Sequence, residues 1–128
     1  MHRPVINWEK LKRIEQKDSP ESRVYNGTQK LLQIRRKLKV LADGSNLTWL
    51  TPHNIHTAAF MRADGAGRLF CLFNFSTEKV YITWYTFKER GDSPVRLFDH
   101  WQEKYHTVGA DHEYLILEPY SFCLMEPA

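Results

Sequence analysis

The chain has 128 residues, 42% of them hydrophobic and 13% aromatic, with a formal net charge of +3 and two cysteines. That apolar content excludes a disordered chain, and no run approaches the roughly 20 apolar residues a membrane span requires. A domain of this length buries about two-thirds of its unfolded surface, so one real core is expected.

Charge divides the chain in two: residues 1–43 carry 11 Lys/Arg against 5 Asp/Glu, a balance of +6, which leaves −3 for residues 44–128. A basic excess this small falls short of the stripe that nucleic-acid binding requires, so no nucleic acid and no membrane is expected as a partner. The N-terminus, Met1-His2-Arg3-Pro4, runs into charged sequence without the apolar core of a secretory signal. A cytoplasmic setting is the expectation.

The first strong local signal is Ser19-Pro20-Glu21. Serine caps free backbone N–H groups, proline suits the first helical position, and glutamate complements the helix dipole. Val24, Gly27, Thr28, Leu31, Ile34, Leu38 and Leu41 then recur at spacings of three and four, which predicts one long helix to about Ala42, stopped by Asp43-Gly44. The other face carries Lys30, Arg35, Arg36, Lys37 and Lys39 and reads as solvated.

After Gly44 short apolar runs are broken by turn residues. Strands are predicted at residues 47–50, 55–63, 68–75, 79–87, 95–98, 114–117 and 121–125. Asp64-Gly65-Ala66-Gly67 suits a hairpin, so the second and third strands should pair antiparallel. In the third, Leu69, Cys71, Phe73 and Phe75 alternate with Phe70, Leu72 and Asn74; apolar residues on both faces mark a central strand. The fold class expected is mainly β: an antiparallel Greek-key sandwich over residues 44–128, preceded by one long α-helix.

Catalytic constellations are hard to find. His53 and His56 lie in a Pro-Asn turn context rather than on a helix face, and His100, His106 and His112 fall in polar loops. No serine or cysteine sits in a nucleophile elbow. Asp99, Glu103, Asp111 and Glu113 read as solvated loop acids rather than a glycosidase pair. Cys71 and Cys123 lie in apolar runs without zinc spacing and read as buried free thiols. No metal and no cofactor is called for. Trp49, Trp84, Tyr85 and Trp101, with Tyr81 and Tyr105, could stack on sugar rings, although aromatics at strand period more often pack within a fold.

Taken in order, His2-Arg3-Pro4, Trp8, the helix SPESRVYNGTQKLLQIRRKLKVLAD, the strand LFCLFNFS and the closing LILEPYSFCLMEP resemble the C-terminal end of amylosucrases, sucrose-using glucosyltransferases of the α-amylase family of glycoside hydrolases. The last strand departs from relatives, which often carry a tryptophan where this chain has Phe122-Cys123-Leu124-Met125. The resemblance implies that residues 1–18 are the loop after the last strand of a (β/α)₈ barrel, residues 19–43 the final barrel helix, and residues 44–128 the family's domain C. It implies further that the three catalytic acids lie on barrel strands outside this chain, so the chain alone should be inactive. Its main partner is then the parent's own catalytic barrel, in cis, with sucrose or α-glucan reached through that parent. Arg3 is the one residue to which the resemblance gives a binding role, at the base of the sucrose pocket in the full-length enzyme. An apolar helix stripe without its barrel invites self-association. The alternative is an autonomous carbohydrate-binding module.

Overall fold

The computed structural model describes residues 4–65, 67–109 and 113–128. It divides into two compact units, the first ending at Lys37 and the second beginning at Leu38.

In the first unit, a short helix α1 (Trp8–Leu11) starts where Asn7 Oδ1 accepts from the Glu9 N–H at 3.0 Å, and a 3₁₀ turn follows at Lys12–Glu15. The stretch expected as a loop is thus partly helical. Helix α2 (Pro20–Lys37) begins as its sequence predicts. Ser19 Oγ accepts from the Ser22 N–H at 3.0 Å and donates to the Arg13 carbonyl at 2.6 Å. Its end differs from expectation: Leu38 is extended (φ −92°, ψ 101°) and a separate 3₁₀ turn spans Lys39–Leu41. Residues two apart in a helix point to opposite sides, so a continuous helix could not bury both Leu38 and Val40 on one side. Breaking at Leu38 allows both to be buried. The Asp43-Gly44 stop is accordingly a turn, with Asp43 Oδ1 accepting from the Ser45 N–H at 2.8 Å. The predicted apolar stripe is only partly covered: Ile34 is buried, whereas Val24 is 71% and Leu31 40% exposed.

The second unit is the sandwich. Its strands are β1 (Leu47–Trp49), β2 (Thr57–Asp64), β3 (Gly67–Asn74), β4 (Val80–Thr83), β5 (Arg96–Asp99), β6 (Lys104–Thr107), β7 (Tyr114–Leu117) and β8 (Phe122–Pro127). They form a six-stranded sheet, β1-β2-β3-β8-β5-β6, and a two-stranded one, β4-β7, all antiparallel. Consecutive strands β3 and β4 pair respectively with β8 and β7, the doubled-over path of a Greek key. The expected fourth strand stops at Thr83 and continues as a 3₁₀ turn, Trp84–Phe87. Sequence reading missed β6, whose Lys-Tyr-His-Thr has no apolar alternation.

β3 is central, flanked by β2 and β8. The β2–β3 hairpin closes as predicted, Asp64 opposite Gly67, with Gly65 in the left-handed region at φ +55° that glycine adopts without strain. The β3 face carrying Phe70 and Leu72 meets Met61, Leu97, Cys123 and Met125 of its own sheet and Val80, Ile82, Leu115 and Leu117 of the small sheet, closed by Phe87. This is the core. On the other β3 face Leu69 and Cys71 are also buried, and the 3₁₀ turn Lys39–Leu41 packs on β2 and β3.

Candidate functional site

Among the described residues, those singled out for chemistry form no single cluster. Arg3, the candidate substrate-binding residue, lies outside the described residues, as do Asp111 and His112. His53 and His56 are exposed in a turn before β2, where His53 takes φ +54° and Asn54 Oδ1 accepts from the His56 N–H at 2.8 Å. Among the described residues no group of three or more His, Cys, Asp or Glu side chains is placed to hold a metal. His100 is not a free loop residue: its Nε2 lies 3.0 Å from Glu126 Oε2 and its ring meets Phe98 edge-on at 5.0 Å. His106 sits on β6 rather than in a loop.

Asp99 corrects the reading of the acids. It is fully buried at the end of β5, and Oδ1 accepts from the Trp101 N–H at 2.8 Å and, at 3.4 Å each, from the N–H groups of Gln102 and Leu124. A short acid directly before a tight turn does this because its side chain reaches the N–H groups two and three residues on. Its work is to tie the β5–β6 turn to β8. Both cysteines are free and buried, as expected. Burial pushes the Cys71 thiol up to about 12 and raises that of Cys123 well above the usual thiol range, which removes both as nucleophiles near neutral pH.

The aromatics fall into three separate groups. Across the outer face of the large sheet, Trp49 meets Phe60 (5.7 Å), Phe60 stacks on Phe73 (5.8 Å), Phe73 on Phe122 (5.8 Å), and Trp101 packs on Phe122 at 4.7 Å. This row follows from register, since Trp49 pairs with Phe60 and Phe73 with Phe122. At the far edge of the same sheet Tyr105 packs on Phe98 (4.9 Å) beneath the Arg96 guanidinium (3.7 Å). On the small sheet Tyr81 meets Tyr114 edge-on (6.3 Å), and Trp84 packs on the core ring Phe87 (5.6 Å). Tyr85 is exposed. The six aromatics nominated from sequence therefore form no common platform.

Two concavities stand out among the described residues. One, of about 170 Å³, is lined by Trp84, Lys104, His106, Thr107, Tyr114, Leu115 and Ile116, along the strands β6 and β7 that end the two sheets. The other, of about 630 Å³, is an apolar groove within the first unit, lined chiefly by Ile6, Leu11, Ile14, Pro20, Val24 and Tyr25.

No family profile matches the sequence, and no curated protein matches it. Solved structures do. AmyP, crystallised in complex with maltose, is similar over 75% of this chain at 17% identity with a TM-score of 0.59. The trehalose-6-phosphate hydrolase TreA of Bacillus licheniformis is similar over 76% at 11% identity with a TM-score of 0.54. At these identities the likeness is one of fold. The chain spans only 18% and 17% of the two proteins' own lengths.

Proposed function

We propose that this chain is the C-terminal region of a larger α-amylase-family enzyme of the amylosucrase kind, in which the β-sandwich packs on and stabilises a catalytic (β/α)₈ barrel supplied by the rest of that polypeptide. The observation that carries this reading is the fold shared with AmyP and TreA, which takes in three-quarters of this chain and under a fifth of either protein. The dispersal of acids and histidines among the described residues supports a structural role. So does the groove lined by Ile6, Leu11, Ile14 and Val24. A unit ending at Lys37 is too short to bury a core of its own, and a barrel would cover that groove. In this reading residues 1–18 leave the last barrel strand, α2 is the last barrel helix, and the sandwich is domain C.

Sucrose or α-glucan would then be bound by the parent. Arg3 is the residue of this chain proposed to reach the pocket, where its fork of donors can hold a carboxylate and sugar hydroxyls together. Two experiments test the reading. The purified chain should release no glucose or fructose from sucrose, and none from starch, above an enzyme-free blank; release would sink it. In the full-length enzyme Arg3→Ala should lower catalytic efficiency at least tenfold, because losing a buried charged partner costs about 2–5 kcal/mol. A correctly folded Arg3→Ala enzyme with wild-type efficiency on sucrose would withdraw that assignment.

A further inference from the structure

The six-stranded sheet ends at β6 and the two-stranded sheet at β7, and neither strand pairs with another beyond that edge among the described residues. A strand at a sheet edge presents unpaired backbone N–H and C=O groups. The cavity of about 170 Å³ lies along these two strands. We infer that it is a binding site for a single pyranose ring, free or at the end of a longer glycan, held by Trp84, Tyr114, Lys104 and Thr107.

Size comes first. Pockets for drug-sized ligands hold roughly 300–1,000 Å³, so a volume near 170 Å³ suits one sugar ring rather than a chain of them. The lining has the two chemistries a pyranose requires. Its C–H-rich faces pack on aromatic rings, and both rings here are already fixed by neighbours: Trp84 by Phe87 at 5.6 Å, and Tyr114 by Tyr81 edge-on at 6.3 Å. Fixed rings lose little entropy on binding. Its hydroxyls require donors and acceptors around the rim. Lys104 brings three N–H donors, and Thr107 and Tyr114 bring hydroxyls that both donate and accept. Leu115 and Ile116 supply an apolar wall. The outer-face row from Trp49 to Trp101 lines neither of the two cavities, which is why the seam, and not the row, is assigned. The site belongs to this chain alone and does not rest on its being joined to a barrel.

The test is a titration of the whole 128-residue chain with glucose and with maltose, followed by amide chemical shifts. A ligand contact of about a dozen non-hydrogen atoms corresponds to a dissociation constant in the millimolar range. Saturable shifts are expected in β6, β7 and the turn Trp84–Phe87. Tyr114→Ala and Lys104→Ala, both at exposed positions, should weaken binding about tenfold and severalfold respectively, in folded protein. Trp84→Ala should abolish binding, but its contact with Phe87 makes the two exposed variants the decisive ones. Trp49→Ala should change nothing. The inference is overturned if neither sugar gives saturable shifts up to about 50 mM, or if shifts map to the outer face and vanish in Trp49→Ala. It is overturned equally if the folded Tyr114 and Lys104 variants bind as the wild type does.

Discussion

Single side chains in this fold act mainly by tying irregular backbone together. Glu89 accepts from the Thr51 N–H at 2.7 Å and from its hydroxyl at 3.0 Å, joining segments 38 residues apart. The Thr51 N–H, and secondarily its hydroxyl and Arg90, hold the Glu89 carboxyl below the usual carboxylate range. A depressed pKa means that the unfolded chain takes up the proton first, so this stabilisation is complete above the ordinary glutamate pKa and is lost as pH falls through the folded value. Glu89→Gln should therefore lose less stability than the wild type between about pH 5 and pH 3, measured by urea unfolding at each pH. Asn74 shows the same logic in a buried setting. Its Nδ2 donates to the carbonyls of Glu78 (2.7 Å) and Glu118 (2.9 Å), while Oδ1 accepts from the Ser76 N–H (2.9 Å) and hydroxyl (2.8 Å). Asn74→Asp keeps the acceptor and turns the donor into a second acceptor facing those carbonyls. A loss of at least about 1–3 kcal/mol in denaturant unfolding is expected.

Among the elements, β3 organises the sandwich, because it is central to the large sheet and carries the longest run buried on both faces, Leu69–Leu72, against Cys123–Met125 in its neighbour β8. The two faces do not contribute equally. Phe70 is fully buried in the core against Phe87 at 5.2 Å, whereas Phe73 is half-buried in the outer row. Phe70→Ala should cost about 3–5 kcal/mol by loss of apolar burial and an incompletely filled cavity. Phe73→Ala should cost clearly less, since water already reaches that ring; equal losses in equilibrium unfolding would contradict the assignment of faces. The end of α2 belongs to this scale too. Helical periodicity continues through Leu38 and Leu41, yet the backbone leaves the helix at Leu38 because burial of Leu38 and Val40 together outweighs three more helical residues.

For the molecule as a whole, exposed apolar side chains gather in the first unit: Val24, Leu31 and Leu32 on α2, with Ile6 and Leu11 before it. An exposed apolar surface of this kind favours association. Sedimentation of the chain should show concentration-dependent self-association, suppressed in Val24→Glu/Leu31→Glu without loss of the sandwich's unfolding transition. A chain that stays monomeric at high concentration would show that this surface needs no cover.

Sequence determined the class of this fold through signals that act locally. Ser19-Pro20-Glu21 fixes where α2 begins because capping is settled within one turn, and Gly65 and the alternation of β3 fix a hairpin and a central strand for the same reason. Strand β7 was legible residue for residue. What sequence could not decide depends on contacts between distant segments: that Asp99, a loop acid by its neighbours, is buried to cap a turn and hold β8; that polar β6 becomes a strand because β5 offers it a partner; that Lys104 and Tyr114, ten residues apart and in different sheets, line one cavity. Periodicity records which face of a segment is apolar. Only tertiary structure decides which faces meet, since that choice is made by the summed burial of many residues and leaves no mark on any one of them.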